Sequence, residues 1–183
     1  MTEKKGSTKL EERIILVDIN DKEIGEAEKL EAHKKCLLHR AFSVYLYHDN
    51  KLLIQKRAEG KYHSAGLWAN TCCSHPRVGE QLEAAVKRRL KEEAGIECQV
   101  EELTHFIYRE KFETMAEYEV DHVFLGEYGG EFLCNRKEAS EMKYVDMDEI
   151  AEDLVKCPDK YTAWFIISFP FVYHHLKNKA EKV

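Results

Sequence analysis

The sequence predicts an α/β domain, and three observations carry that reading. First, apolar-rich runs of strand length recur between turn residues. They are Arg13 to Asp18, about Ala41 to Tyr47, Leu52 to Arg57, residues 97–108 and residues 117–126. Second, residues 80–94 carry a helical pattern: Leu82, Ala85, Val86 and Leu90 recur at three- and four-residue steps, from near Glu80 to Gly95, a good C-terminal glycine. Third, residues 161–179 read as an aromatic-rich helix, interrupted or kinked at Pro170.

The chain of 183 residues suits one domain with a sizeable core. A net charge of −6 makes nucleic acid an unexpected partner. No apolar run approaches membrane-spanning length, and the polar start MTEKKGSTKLEER has no signal-peptide core, so no membrane partner is expected. Six cysteines, at 36, 72, 73, 98, 134 and 157, read as free thiols in a reducing cytoplasm. The oligomeric state stays open.

Taken in order, residues 1–12 read as a frayed arm and Arg13 to Asp18 as a strand closed by an Asn20-Asp21-Lys22 turn. Residues 26–38, with Lys29 and His33, are a short helix or a loop. His39 stands at the start of the Ala41–Tyr47 strand, and residues 48–51 turn the chain into the Leu52–Arg57 strand. Residues 58–70 form a loop, with Arg57 and Lys61 nearby. Residues 111–117 connect the next two strands, and Glu117, Glu119 and Asp121 alternate onto one face of the second. A Gly129-Gly130 turn, a short strand from Met142 to Asp146 and a short helix from Met147 to Lys156 follow, and Pro158 breaks the chain before the last helix.

The most informative stretch is residues 71–96, TCCSHPRVGEQLEAAVKRRLKEEAGI, a loop with Cys72, Cys73 and His75 running into the charged helix. Arg89, Glu92 and Glu93 share one helix face and could hold a metal ion and an oxyanion together. From the helix alone, a solvated face laced with ion pairs is the better account. The Cys-x-His-Pro turn immediately ahead of it shifts the balance.

This stretch resembles the Nudix box. Glu80, Arg88, Leu90, Glu92, Glu93, Gly95 and Ile96 match it in register. Ser74 stands where the box has its first Gly, and Arg89 where it has a metal-binding Glu. An arginine there repels a metal and attracts phosphate. The resemblance implies a Nudix fold, a mixed β-sheet sandwiched between helices.

His33, His39, His75, Glu117 and Glu119 would together suit zinc, manganese, iron or magnesium. Spacing alone does not bring them together, since each has an ordinary reading as a core or surface residue. From about residue 13 to 175 the chain resembles type I isopentenyl-diphosphate isomerases, through AHKKCLLHRAFS, QKRAEGK, GLWANTCCSHP, the altered box, AEYEVDHVF and YTAWFIISFP. The resemblance implies roles for particular residues. Cys73 is the catalytic thiol, with Cys72 a packing neighbour. His33, His39, His75, Glu117 and Glu119 bind one divalent ion (Mn, Zn or Mg), and Glu119 also moves a proton. Glu93 helps to hold a magnesium on the substrate diphosphate. Lys29, Arg57, Lys61 and Arg89 bind that diphosphate, and Tyr108 and Trp164 line the hydrocarbon pocket, with Tyr108 hydrogen-bonding near Glu119. Ordinary readings stand beside three of these: a surface lysine for Lys29, and core positions for Tyr108 and Trp164.

The implied activity is interconversion of isopentenyl and dimethylallyl diphosphate in isoprenoid biosynthesis. Its rivals are a Nudix pyrophosphohydrolase of a nucleoside or prenyl diphosphate, and a silent metal- or diphosphate-binding module.

Overall fold

A computed structural model describes residues 13–180; the arm expected at residues 1–12 lies outside them. The strands are β1 (Arg13–Val17), β2 (Glu23–Glu28), β3 (His39–His48), β4 (Lys51–Arg57), β5 (Trp68–Ala69), β6 (Cys72–Ser74), β7 (Glu101–Lys111), β8 (Ala116–Glu127) and β9 (Ala139–Asp146). The helices are α1 (Lys29–Lys35), α2 (Leu82–Ala94), α3 (Met147–Lys156) and α4 (Ala163–Ala180), with a 3₁₀ turn at Pro158–Lys160.

The sheet is built on β3. From His39 to Leu46 every residue but Arg40 is buried, because neighbours cover both faces and both edges of this strand. Along one edge β3 pairs in parallel with β8, His39 opposite Glu119 and Ser43 opposite Val123. The other edge is shared, antiparallel, among β1, β6 and β4. β4 continues to β9 and β5, and β7 covers the outer edge of β8.

Alternation then builds two cores. Phe42, Val44, Leu46 and Phe124 pack against Ala85, Val86, Leu90 and Ala94 of α2. Tyr45, Leu52, Ile54 and Val123 point the other way, against Phe165, Phe169, Val172 and Leu176 of α4 and Ile150 of α3. The mixed sheet therefore lies between helical layers. Each of these large buried side chains contributes about 1.5–3 kcal/mol relative to exposure.

Several boundaries differ from the sequence reading. The expected loop at residues 71–79 contains β6, which finds its hydrogen bonds on β3. Residues 58–70 contain the two-residue β5, held by Gln55 and Lys56 of β4. The β7–β8 connection shrinks to residues 112–115, and the last strand starts at Ala139. α4 is not interrupted: it runs through Pro170, which only deprives the Ile166 carbonyl of its helical donor.

α2 begins at Leu82, and Glu80 serves the approach to it. Its carboxylate takes a two-point contact from Arg88 (Nε to Oε1 2.7 Å, Nη2 to Oε2 2.8 Å) and accepts the Arg77 N–H. Gly95 closes α2 at φ 67°, where any Cβ would also meet Leu133 at 3.3 Å.

Candidate active site

Short local devices aim three histidines into one space. The Glu28 side chain caps α1 and a left-handed Cys36 ends it, which fixes His33 at 0% exposure. His39 opens β3. His75 follows β6, where Pro76 stops the strand. Glu119 lies across from His39 on β8. His75 Nε2 is 2.9 Å from Glu119 Oε1 and 3.2 Å from His39 Nε2, and the four groups place ligand atoms within 4.8 Å of one another.

The chemistry of these donors fits a divalent ion. His33 Nδ1 sits 2.7 Å from the Lys29 carbonyl and His39 Nδ1 2.8 Å from the Leu37 carbonyl. Carbonyls only accept, so each Nδ1 carries the hydrogen and each Nε2 presents a lone pair to the shared space. Among the described residues, His33 Nε2 is buried with no hydrogen-bond partner, and so is His75 Nδ1. Burial pushes the His33 imidazole down, and burial followed by the Lys29 charge pushes His75 well down, which keeps both in the neutral ligand form. Burial would raise Glu119, but its imidazole neighbours hold it well below the usual carboxylate range. Three nitrogens and one oxygen suit a metal of borderline hardness.

Glu117 belongs to an adjoining group with His33 and His63 rather than to this one. Its Oε1 is 3.1 Å from His63 Nε2. The Tyr108 hydroxyl lies 2.9 Å from Glu117 Oε2 and 2.8 Å from Glu119 Oε2. One hydroxyl carries one proton, so it cannot donate to both carboxylates; without a cation, one of the two must itself be protonated. Burial and then the Glu119 charge raise the Glu117 carboxyl well above the usual range.

His63 is a residue the sequence reading missed. It is buried, stacks on Phe112 at 4.9 Å, and is pushed down to about 3 by burial and by the Arg57 charge. Its only sequence signal is an imidazole two residues after Lys61. Asp121, placed on the Glu117–Glu119 face without a role, accepts a hydrogen bond from Ser43 Oγ at 2.8 Å, and its Oδ1 is buried without a hydrogen-bond partner among the described residues.

Cys73 faces the same cavity as His75, Tyr108, Glu119 and Trp164. Burial pushes its thiol up to about 12 against the opposing charge of Arg57, so it holds its proton. Arg57 Nη1 approaches Cys73 Sγ at 3.6 Å, and its guanidinium stacks 5.0 Å from the Trp164 ring centre. Trp164 donates from Nε1 to Asn70 Oδ1 at 3.1 Å, which fixes the indole; Asn70 is itself tied to the Val44 and Cys72 carbonyls. Cys72 is fully buried in the core beneath α2.

The cavity also carries cations. Lys29, Arg57, Lys61 and Arg89 all line it. Arg89 and Glu93 do not form a solvated face: Glu93 is 3% exposed. Arg89 donates to Glu92 (2.7 Å) and Glu93 (2.7 Å) and lies 3.1 Å from Glu138, while Gln55 donates to the second oxygen of Glu93 at 3.2 Å. Glu138 also pairs with Lys61. It was absent from the sequence reading, because it sits in an irregular segment and meets both partners only through the fold.

Burial alone would raise Glu138, but the Lys61 hydrogen bond and the Arg89 charge outweigh it and hold the carboxyl at about 2, against an ordinary 4.5. A depressed carboxyl contributes its stability above the ordinary value. That contribution is lost as pH falls from about 4.5 through about 2. Glu138→Gln should therefore be less stable than wild type at neutral pH, and the gap should close across that window. Denaturant midpoints measured from pH 6 to 2 test this, and a gap that stays constant would contradict it.

The chain matches the model of the NUDIX domain over residues 37–165. It is 48% identical over 159 residues to "Isopentenyl-diphosphate Delta-isomerase 2" of Photorhabdus laumondii, covering 85% of this chain and 89% of that protein. It is 45% identical over 157 residues to a protein of the same name from Aromatoleum aromaticum, covering 85% and 83%. Among solved structures, DR0079 from Deinococcus radiodurans superposes with a TM-score of 0.67 at 18% identity, covering 80% of this chain and 90% of that one. A MutT NUDIX hydrolase from Burkholderia pseudomallei gives 0.61 at 20%, covering 74% and 98%. The structural likenesses establish the fold, and the sequence identities go further. The chain belongs to the Nudix superfamily and, within it, to the isopentenyl-diphosphate Delta-isomerases.

Proposed function

We propose that this protein, acting as one domain, interconverts isopentenyl diphosphate and dimethylallyl diphosphate in isoprenoid biosynthesis. The observation that carries the reading is one cavity lined by a protonated thiol, Cys73, a Tyr108–Glu119 pair, the Trp164 indole and four cationic side chains. In this direction C4 of the substrate gains a proton, C2 loses one, and the double bond moves from C3–C4 to C2–C3.

An isolated alkene is a weak base, so the acid must be positioned and water kept out. Cys73 supplies the proton to C4, and Glu119, hydrogen-bonded to Tyr108, receives the one from C2. The charge that develops at C3 faces Trp164, whose ring quadrupole is worth about 2 kcal/mol to a desolvated cation. Arg57, Lys61, Lys29 and Arg89 bind the diphosphate; Glu93, which lies behind Arg89 and outside the cavity lining, would help to hold a magnesium on it. His33, His39, His75 and Glu119, with Glu117 alongside, would hold a manganese, zinc or magnesium ion; that charge lowers the basicity of Glu119 and fixes its orientation. A cytoplasmic setting, where thiols stay reduced, suits a mechanism that needs Cys73 as a thiol.

Incubation with isopentenyl diphosphate should yield the allylic isomer without release of phosphate. Release of phosphate with no isomer would favour a pyrophosphohydrolase, and tight binding with neither product would leave a binding module. Arg89→Glu should raise KM by about 30-fold or more, equivalent to about 2 kcal/mol of lost anchorage. An unchanged KM would remove Arg89 from the diphosphate site.

A further inference from the structure

We propose that Glu102, His105 and His122 form a second divalent-metal site of the zinc class, on the face of β8 opposite Glu117 and Glu119. Alternation along β8 sends Glu117, Glu119 and Asp121 to one side and His122 to the other. His105 pairs directly with His122 across β7 and β8, so the two imidazoles share a face, with ring centres 5.3 Å apart. Regular pairing would turn Glu102 to the reverse side. The register instead shifts between Glu102 and Thr104, and this extra residue brings Glu102 onto the histidine face, opposite Phe124.

The donor atoms are close to ligating positions. Glu102 Oε1 is 2.7 Å from His122 Nδ1 and 3.8 Å from His105 Nδ1. A tetrahedral ion with bonds near 2.0–2.1 Å spaces its ligands roughly 3.3 Å apart, between those two distances. The His105 side chain is 60% exposed and free to adjust, and it leaves a fourth position to water.

The support behind His122 is already built. Its Nε2 faces Asp21 Oδ2 at 3.0 Å. Asp21 is held in turn by Arg40, which donates from Nε to Oδ1 at 2.8 Å and from Nη2 to the Asp21 carbonyl at 2.7 Å. A carboxylate behind the far nitrogen of a histidine is the arrangement that orients metal ligands. With no metal, His122 faces a carboxylate at each nitrogen and needs two ring protons to serve both. A metal on Nδ1 leaves only the Nε2 proton required, and that one is donated to Asp21. The site would tie the β7–β8 hairpin to the turn between β1 and β2.

The test is a calorimetric titration of the metal-free full chain with zinc, paired with long-range ¹H–¹⁵N NMR of the histidine rings. Wild type should show two classes of binding, and the second should shift the His122 Nδ1 resonance. His105→Ala and Glu102→Gln alter exposed side chains away from the catalytic cavity. Each should lose the second class, at least tenfold in affinity, while isomerase turnover is unchanged. A single class in wild type, or a second class that survives both substitutions, would overturn the site.

Discussion

Cys73→Ala is expected to lose about 10² to 10⁴ in turnover, the usual worth of a positioned acid or base, while its metal content and its affinity for diphosphate stay at wild-type values. The expectation rests on two facts. The thiol is not among the ligand groups, and burial holds it near 12, so the side chain enters the reaction carrying its proton. Turnover in deuterated water reads the effect directly. Wild type should place solvent deuterium in substrate and product, and Cys73→Ala almost none. Cys72→Ala, altering a thiol sealed in the α2 core, should cost little turnover. Normal uptake in Cys73→Ala with loss in Cys72→Ala would exchange the two assignments, and normal turnover in both would end the mechanism.

His75→Ala is expected to strip the ion from the histidine–glutamate group and abolish isomerisation. His75 contacts both His39 and Glu119, so its removal breaks the centre of the donor set rather than its edge. It also leaves Glu119 without the imidazole that helps to hold it ionised. Metal content of the purified variant should fall with its activity. Full occupancy together with full rate would mean that the ligand group is wrongly drawn.

Much of this arrangement was legible in the sequence where the chain repeats a local period. The α2 pattern, the Glu117–Glu119–Asp121 alternation and the Cys-x-His-Pro turn are all short-range features. What stayed hidden depends on distant pairing. β6 is three residues long and becomes a strand only because β3 supplies its partners. Glu138 reads as an ordinary loop acid until the fold sets it between Lys61 and Arg89. The division of Glu117 and Glu119 into adjoining groups is likewise invisible to spacing, since both residues face the same way from one strand. His63 sits in an aperiodic loop, where residue type is the only clue. The solvated-face account of α2 fails because Gln55 and Glu138 cover the charges that spacing alone would leave to water.

The parallel register of β3 and β8 also governs the order of assembly. His39 and Glu119 come from opposite halves of the chain and meet only when those strands have zipped together. Closing so long a loop is an entropic cost met before the contact returns anything, so this pairing is expected to form late in folding. An ion bound there recognises the completed sheet and nothing earlier. It should therefore leave the refolding rate unchanged and act as a latch, slowing unfolding in proportion to its occupancy.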